Sequence, residues 1–421
     1  MGDFESVLDG ATKLSDGTKD ARALHGAAMQ VIDGKGNTIL AKASGVASLD
    51  SSPDPVTLDS VFLIASCTKL LTSIAAMQCV ERGLIDLDEP LDQYLPELCS
   101  QPILCEGPEE GQFSYRTRKA PITLRRLLTH SAGVGSDNAF PIHARWRKSR
   151  GEECLYHTAD VVRSFSLPLL YEPGEGWAYG GGTDWVGKLV ERLTLKKQKE
   201  ASTTPGVQTD QGVLEDYFIA NIFTPLGMNS STFLLSRRPD LRARLVQTVQ
   251  RSSDPDENFV PAAVWHADPP VDCMGGRGVY STVEDYTAVL RDLLQPSPKL
   301  LKKDTVDMLF APQLQPGSAA HRALVEKFPP DVPLLGGLVE VGVDFNIALA
   351  GMILCSDNPE LGRTTNTLTW AGAGNLLWFI NREANGGDGV AAMFATQVMP
   401  DADERVRQVV KGFVKEVWSK I

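Results

Sequence analysis

The sequence predicts an α+β fold: one antiparallel sheet built from the N- and C-terminal segments, helices packed on it, and an inserted, mostly helical subdomain. Three observations carry this. β-type runs stand at both ends, helical periodicity fills the middle, and 421 residues with 43% hydrophobic content suffice for a sizeable core. The sheet domain is placed at 1–84 and 331–421 and the inserted subdomain at 85–330, with any site at their interface.

The first ordered signal is residues 26–45, two β-type runs around the turn Gly34-Lys35-Gly36-Asn37, which reads as a hairpin. A turn-rich piece follows, then the short apolar run Val61–Ala65. From Ser66 the period changes. Leu70, Leu71, Ile74, Met77 and Val80 recur at three- and four-residue steps, and Gly83 stops this helix as a C-terminal glycine does. Further helices are expected at 123–130, 183–194, 213–223, 283–294 and 303–310. Residues 196–212 are polar and turn-rich and read as a surface loop. Strand-like runs at 347–355, 366–370, 375–381 and 389–397 are separated by turns such as Asn385-Gly386-Gly387-Asp388. A last helix, capped by Asp401 or Asp403, carries the stripe Val406, Val409, Val410, Phe413, Val414 and Val417.

Composition excludes several functions. A net charge of −12 repels phosphate backbones, so no nucleic acid is expected as a partner. No run is long and apolar enough to span a bilayer, and the acidic N-terminus does not resemble a signal peptide, so a cytoplasmic protein without a membrane partner is expected. The chain ends Ser419-Lys420-Ile421, one residue from a peroxisomal address, which adds peroxisomal import as an expectation. Seven cysteines without a C-x-x-C pair read as free buried thiols. Six histidines without i, i+4 spacing give no helical metal pair, so neither metal nor cofactor is expected.

The chemistry centres on Ala65-Ser66-Cys67-Thr68-Lys69. On a helix, residues i and i+3 share a face, so the Ser66 and Lys69 side chains can meet. At a helix start the dipole and unpaired N–H groups favour negative charge on the Ser66 oxygen. A serine hydroxyl needs an adjacent base, and a lysine can serve once its pKa falls well below its ordinary value. The bland alternative is a capping serine beside a solvated lysine. Two further pieces argue against it. Tyr179 follows a Pro/Gly-rich loop that begins at Tyr171, and Gly180 and Gly181 beside it let a substrate approach the backbone. A phenol near a lysine can shuttle a proton. Near the end, Trp370-Ala371-Gly372-Ala373-Gly374-Asn375 places small residues on a strand, where a free N–H can join that of Ser66 as an oxyanion hole.

In this order the three motifs resemble the serine β-lactamase and penicillin-binding-protein superfamily. Supporting stretches are Glu81-Arg82-Gly83-Leu84-Ile85-Asp86, Leu127-Leu128-Thr129-His130-Ser131-Ala132-Gly133, Pro225-Leu226-Gly227-Met228 and Gly275-Gly276-Arg277-Gly278. Within it, the wording around Ser66, Trp185-Val186-Gly187-Lys188 and Leu368-Thr369-Trp370 is similar to fungal acyltransferases of the lovastatin type. The resemblance implies Ser66 as acyl-bearing nucleophile, Lys69 and Tyr179 as the base pair, and an oxyanion hole from the Ser66 N–H and a backbone N–H near Gly372 or Ala373. The sequence departs from β-lactamases at two places. Gly181 stands in the asparagine slot two residues after the tyrosine, and Trp370-Ala371-Gly372 lacks the cation that binds a β-lactam carboxylate. His130 reads as structural. An aromatic in place of the cation suits an apolar acyl chain, with Trp370 and Trp378 expected to line its pocket.

The function expected from this is transfer of an acyl group from a thioester, through acyl-Ser66, to an alcohol or amine of a polyketide-type acceptor. Its partners are a small-molecule donor and acceptor, with the donor on an acyl carrier protein, a polyketide synthase or CoA. The alternatives are an esterase or lactonase that uses the same residues, and a non-catalytic binding protein.

Overall fold

A computed structural model describes residues 4–13, 22–109, 111–201, 213–254, 258–263, 267–327, 342–401 and 403–421. Seven strands form the main sheet in the order Thr38–Gly45, Gly26–Asp33, Val390–Thr396, Leu376–Asn381, Leu368–Gly372, Met352–Leu354, Phe345–Ile347. Every neighbouring pair is antiparallel. The N-terminal hairpin joins the C-terminal strands through Gly26–Asp33 and Val390–Thr396, with Ala28 opposite Ala395. The expected sheet from both chain ends is therefore present.

Side chains on a strand alternate between faces, and each face meets its own helix. Phe379 and Phe394 meet Phe413 of the helix Glu404–Ser419, at 6.3 and 5.5 Å between ring centroids. Phe4 of the helix Phe4–Thr12 also packs on Phe413, at 5.7 Å between ring centroids. Trp378, one residue before Phe379, points to the opposite face and meets Tyr286 of the helix Val283–Leu294. The whole stripe Val406, Val409, Val410, Phe413, Val414 and Val417 is buried. Each such side chain contributes roughly 1.5–3 kcal/mol relative to exposure. Asp403 caps this helix by accepting from the Val406 N–H at 3.0 Å.

Several expectations are corrected. The run 347–355 covers only the last residue of the strand Phe345–Ile347, then the tight turn Ala348–Gly351, in which Ala348 N–H donates to the Gly351 carbonyl, and the strand Met352–Leu354. Residues 196–201 continue the helix Gly182–Ala201; the rest of the expected loop, 202–212, lies outside the described residues. The boundary at 330/331 also lies outside them. The helix Val283–Leu294, assigned to the inserted part, packs on the sheet through Tyr286. The run 213–223 is helical, but its second half, Ile219–Phe223, is a π-turn. The cysteines are free, though Cys154 and Cys355 are exposed rather than buried. No helix among the described residues is long and apolar enough to cross a membrane.

Candidate active site

Ser66 stands in the 3-10 turn Ala65–Cys67, just ahead of the helix Thr68–Glu81, rather than inside that helix. Ala65 takes a left-handed φ of 46°. A non-glycine residue there carries strain of about 1–3 kcal/mol and persists only where surroundings hold it. They do. The Ile64 N–H donates to the Val279 carbonyl at 3.0 Å, and the Tyr286 hydroxyl donates to the Cys67 carbonyl at 2.9 Å. The turn is thus tied to the segment that enters the helix Val283–Leu294. Cys67 is fully buried, and burial pushes its thiol well up, so it does not compete with Ser66 as nucleophile.

Three predicted side chains meet. The Tyr179 hydroxyl donates to Ser66 Oγ at 2.7 Å. Lys69 Nζ lies 3.3 Å from the same oxygen and donates to the Gly276 carbonyl at 2.8 Å. It also sits 4.7 Å from the Tyr179 ring centroid. Ser66, Lys69 and Tyr179 are each half-buried, which leaves a reacting carbonyl room to reach the hydroxyl. Both partners are within reach of the Ser66 proton, the first requirement for a general base.

The loop before Tyr179 is fixed at both ends. The Glu172 carboxylate accepts from the N–H groups of Lys119 and Ala120 and from Arg116. The Ala120 N–H is the leading cause that holds this carboxyl down to about 2. At the other end the Ala178 N–H and the Tyr171 hydroxyl both donate to the His130 carbonyl. Gly180 and Gly181 are needed for close packing: a Cβ would stand 2.4 Å from the Val134 carbonyl or 2.3 Å from the Phe165 ring. Gly181 is buried and Gly180 half-buried, so packing rather than substrate contact accounts for the second glycine.

His130 is the hub behind the triad. It stacks on Trp370 and meets Tyr179 and Trp177 edge-on, at 6.1, 5.0 and 5.7 Å between ring centroids. Burial, with the nearby Lys69 cation adding to it, pushes its pKa down to about 3. It is therefore neutral in the folded protein at ordinary pH. A cavity of about 10 Å³, the size of one water, adjoins Lys69 between Ser73, His130, Thr183, Leu349 and Trp370.

The third motif lies against the turn of Ser66. A Cβ on Gly372 would stand 2.5 Å from the Ile64 carbonyl and 3.1 Å from Cys67 Sγ. Only a strand end without a side chain can approach so closely. Ala373 follows it and is half-buried. Trp370 is 1% exposed and supports His130 and Tyr179 from behind. Trp378 pairs with Trp370 across the strands but has no exposed surface and packs on Tyr286 as core. A larger surface cavity, about 300 Å³, holds none of the predicted site residues; Phe223, Met228 and Arg237 line it.

Sequence reasoning passed over Gly276, whose carbonyl takes the Lys69 amine. The run Gly275-Gly276-Arg277-Gly278 was visible, but its partner lies 207 positions away.

The model of the Beta-lactamase family matches residues 12–411. The chain is 33% identical to "Acyltransferase calJ" of Penicillium decumbens, over 100% of this chain and 98% of that protein. It is 34% identical to "Lovastatin esterase" of Penicillium rubens, over 95% and 96%. Among solved structures, unliganded simvastatin synthase from Aspergillus terreus superposes with a TM-score of 0.80 at 30% identity, over 99% of this chain and 97% of that one.

Proposed function

The chain belongs to the beta-lactamase family, and from that premise we propose that it is a serine acyltransferase. The observation that carries this reading is the convergence of Tyr179 and Lys69 on one hydroxyl, that of Ser66. The donor is a thioester and the acceptor an alcohol or amine of a polyketide-type small molecule.

In the first half-reaction the Lys69–Tyr179 pair acts in the form that has given up one proton, as neutral amine or phenolate, and the Ser66 proton fills that vacancy as Oγ bonds to the thioester carbonyl carbon. The N–H groups of Ser66 and Ala373 hold the resulting oxyanion. Collapse breaks the carbon–sulfur bond, and the thiol leaves with the proton the pair had taken. In the second half-reaction the acceptor hydroxyl loses its proton to the same pair and attacks the acyl carbon. Ser66 Oγ leaves, takes the proton back, and the new ester departs. The motif that begins at Trp370 lacks the cation that relatives binding β-lactams carry there, and a site without that charge suits an uncharged acyl group, although the Trp370 ring itself is buried behind His130 and Tyr179.

A second reading has a specific observation behind it, the likeness to a protein named as an esterase. Water then resolves acyl-Ser66. One experiment separates the two: a short acyl thioester is supplied with and without candidate alcohols, and ester and free acid are both measured. Ester that rises with acceptor concentration supports transfer. Free acid alone, whatever the acceptor, overturns it. Presenting the same acyl group on CoA and on an acyl carrier protein tells which carrier the donor site accepts.

A further inference from the structure

We infer that Asp184 is a positioning residue for the base: its carboxylate fixes the Gly275–Gly276 peptide, whose neighbouring carbonyl aims the Lys69 amine at Ser66. This inference rests on the reading that Lys69 serves Ser66.

Asp184 lies in the first turn of the helix Gly182–Ala201 and is 4% exposed. Its Oδ1 accepts from the Gly276 N–H at 2.9 Å. The other end of that peptide is held as well, because Thr72 Oγ1 donates to the Gly275 carbonyl at 2.6 Å. The next carbonyl, that of Gly276, accepts from Lys69 Nζ at 2.8 Å. Thr72 and Lys69 are three residues apart and share one helix face. One helix thus grips two successive carbonyls, and Asp184 grips the amide between them from the opposite side.

Two glycines in sequence have little conformational preference of their own. Their fixed geometry must come from partners. Contact is close enough to require glycine: a Cβ on Gly276 would stand 2.7 Å from Asp184 Oδ2, and one on Gly275 would stand 2.9 Å from the Thr183 carbonyl. The Lys69 amine hangs on a flexible four-carbon stem. With the Gly276 carbonyl held, one N–H is committed and the amine stays beside Ser66. With that carbonyl loose, the amine samples other directions and proton transfer slows, while the space that receives the acyl group is untouched. Asp184 touches neither the reacting atoms nor Ser66.

The test is single-turnover acylation of the full chain by a short acyl thioester, with acyl-Ser66 read by intact mass. Asp184→Ala is expected to slow acylation about 10- to 100-fold, the effect of one lost hydrogen bond to a charged group, with the half-saturating thioester concentration unchanged. Asp184→Asn keeps an oxygen that can accept from the Gly276 N–H and is expected to stay within about threefold of the unaltered protein. A folded Asp184→Ala protein that acylates at the original rate overturns the inference. So does Asp184→Asn acylating as slowly as Asp184→Ala. Should Asp184→Ala fail to fold, Thr72→Val releases the carbonyl side of the same peptide. It is expected to slow acylation without altering half-saturation, and the original rate there overturns the inference equally. If the unaltered protein forms no adduct on Ser66, the proposed function fails instead.

Discussion

The Tyr179 hydroxyl lies 2.7 Å from Ser66 Oγ, closer than the 3.3 Å that separates that oxygen from the Lys69 amine. The Tyr179 oxygen is therefore the nearer partner of Ser66 Oγ, placed to take the serine proton once it has itself given one up, and the Lys69 amine lies over its ring. Tyr179→Phe keeps the ring and its contacts with His130, Trp177 and Trp370 and removes only the hydroxyl. Turnover is expected to fall at least about a hundredfold, the usual scale for a lost general base or acid. The melting temperature should hardly move. Near-normal turnover in Tyr179→Phe would leave Lys69 as the sole base.

Ser66→Ala is expected to abolish turnover and covalent labelling by an acyl thioester or a fluorophosphonate. Lys69→Ala keeps the nucleophile and should lose at least about a hundredfold in turnover. Mass spectrometry of the labelled protein reads both. Turnover retained in Ser66→Ala would place the chemistry elsewhere.

The ends of this fold were legible because their signals are local. The turn Gly34-Lys35-Gly36-Asn37 and the stripe from Val406 to Val417 each lie within one element. Ser66 and Lys69 were legible for the same reason, being one turn apart. Tyr179 was found through its glycines and through family resemblance, since 113 positions separate it from Ser66. Gly276 stayed hidden because it acts through a backbone carbonyl, and any residue type supplies one. Trp370 and Trp378 read alike in sequence. Neither strand alternation nor burial separates them, since they face each other across one register pair and both are buried; their partners do. Trp370 meets the His130 and Tyr179 rings, whereas Trp378 meets Tyr286 in the core.

Gly372→Ala tests the third motif. The added methyl group meets the Ile64 carbonyl and Cys67 Sγ, so the strand end and the Ser66 turn must separate. A donor moved away from the oxyanion costs about 10²–10³ in turnover. Acylation by a short thioester should fall on that scale while the far-UV circular dichroism spectrum is unchanged. Unaltered turnover would show that this strand contributes no donor.

His130 supplies a prediction about acid. Its pKa is about 3 in the folded protein, because burial first and the Lys69 cation second disfavour the imidazolium. In the unfolded chain a histidine titrates near 6.5. The folded pKa is depressed, so the unfolded state binds more protons between the two values. The stability tied to neutral His130 is fully present above about pH 6.5 and is lost as pH falls towards 3. The loss is up to about 1.4 kcal/mol per pH unit from this group. Carboxylates add their own dependence below about pH 5, so the contrast with a variant is what isolates the histidine. His130 holds a left-handed φ of 57°, which asparagine tolerates. His130→Asn should therefore fold, lose the stacking on Trp370 at every pH, and show a flatter stability curve between pH 6.5 and 5. Urea unfolding at four or five pH values measures that slope. Equal slopes in the two proteins would mean that His130 binds protons as readily in the fold as in the unfolded chain, and burial would then not hold it neutral.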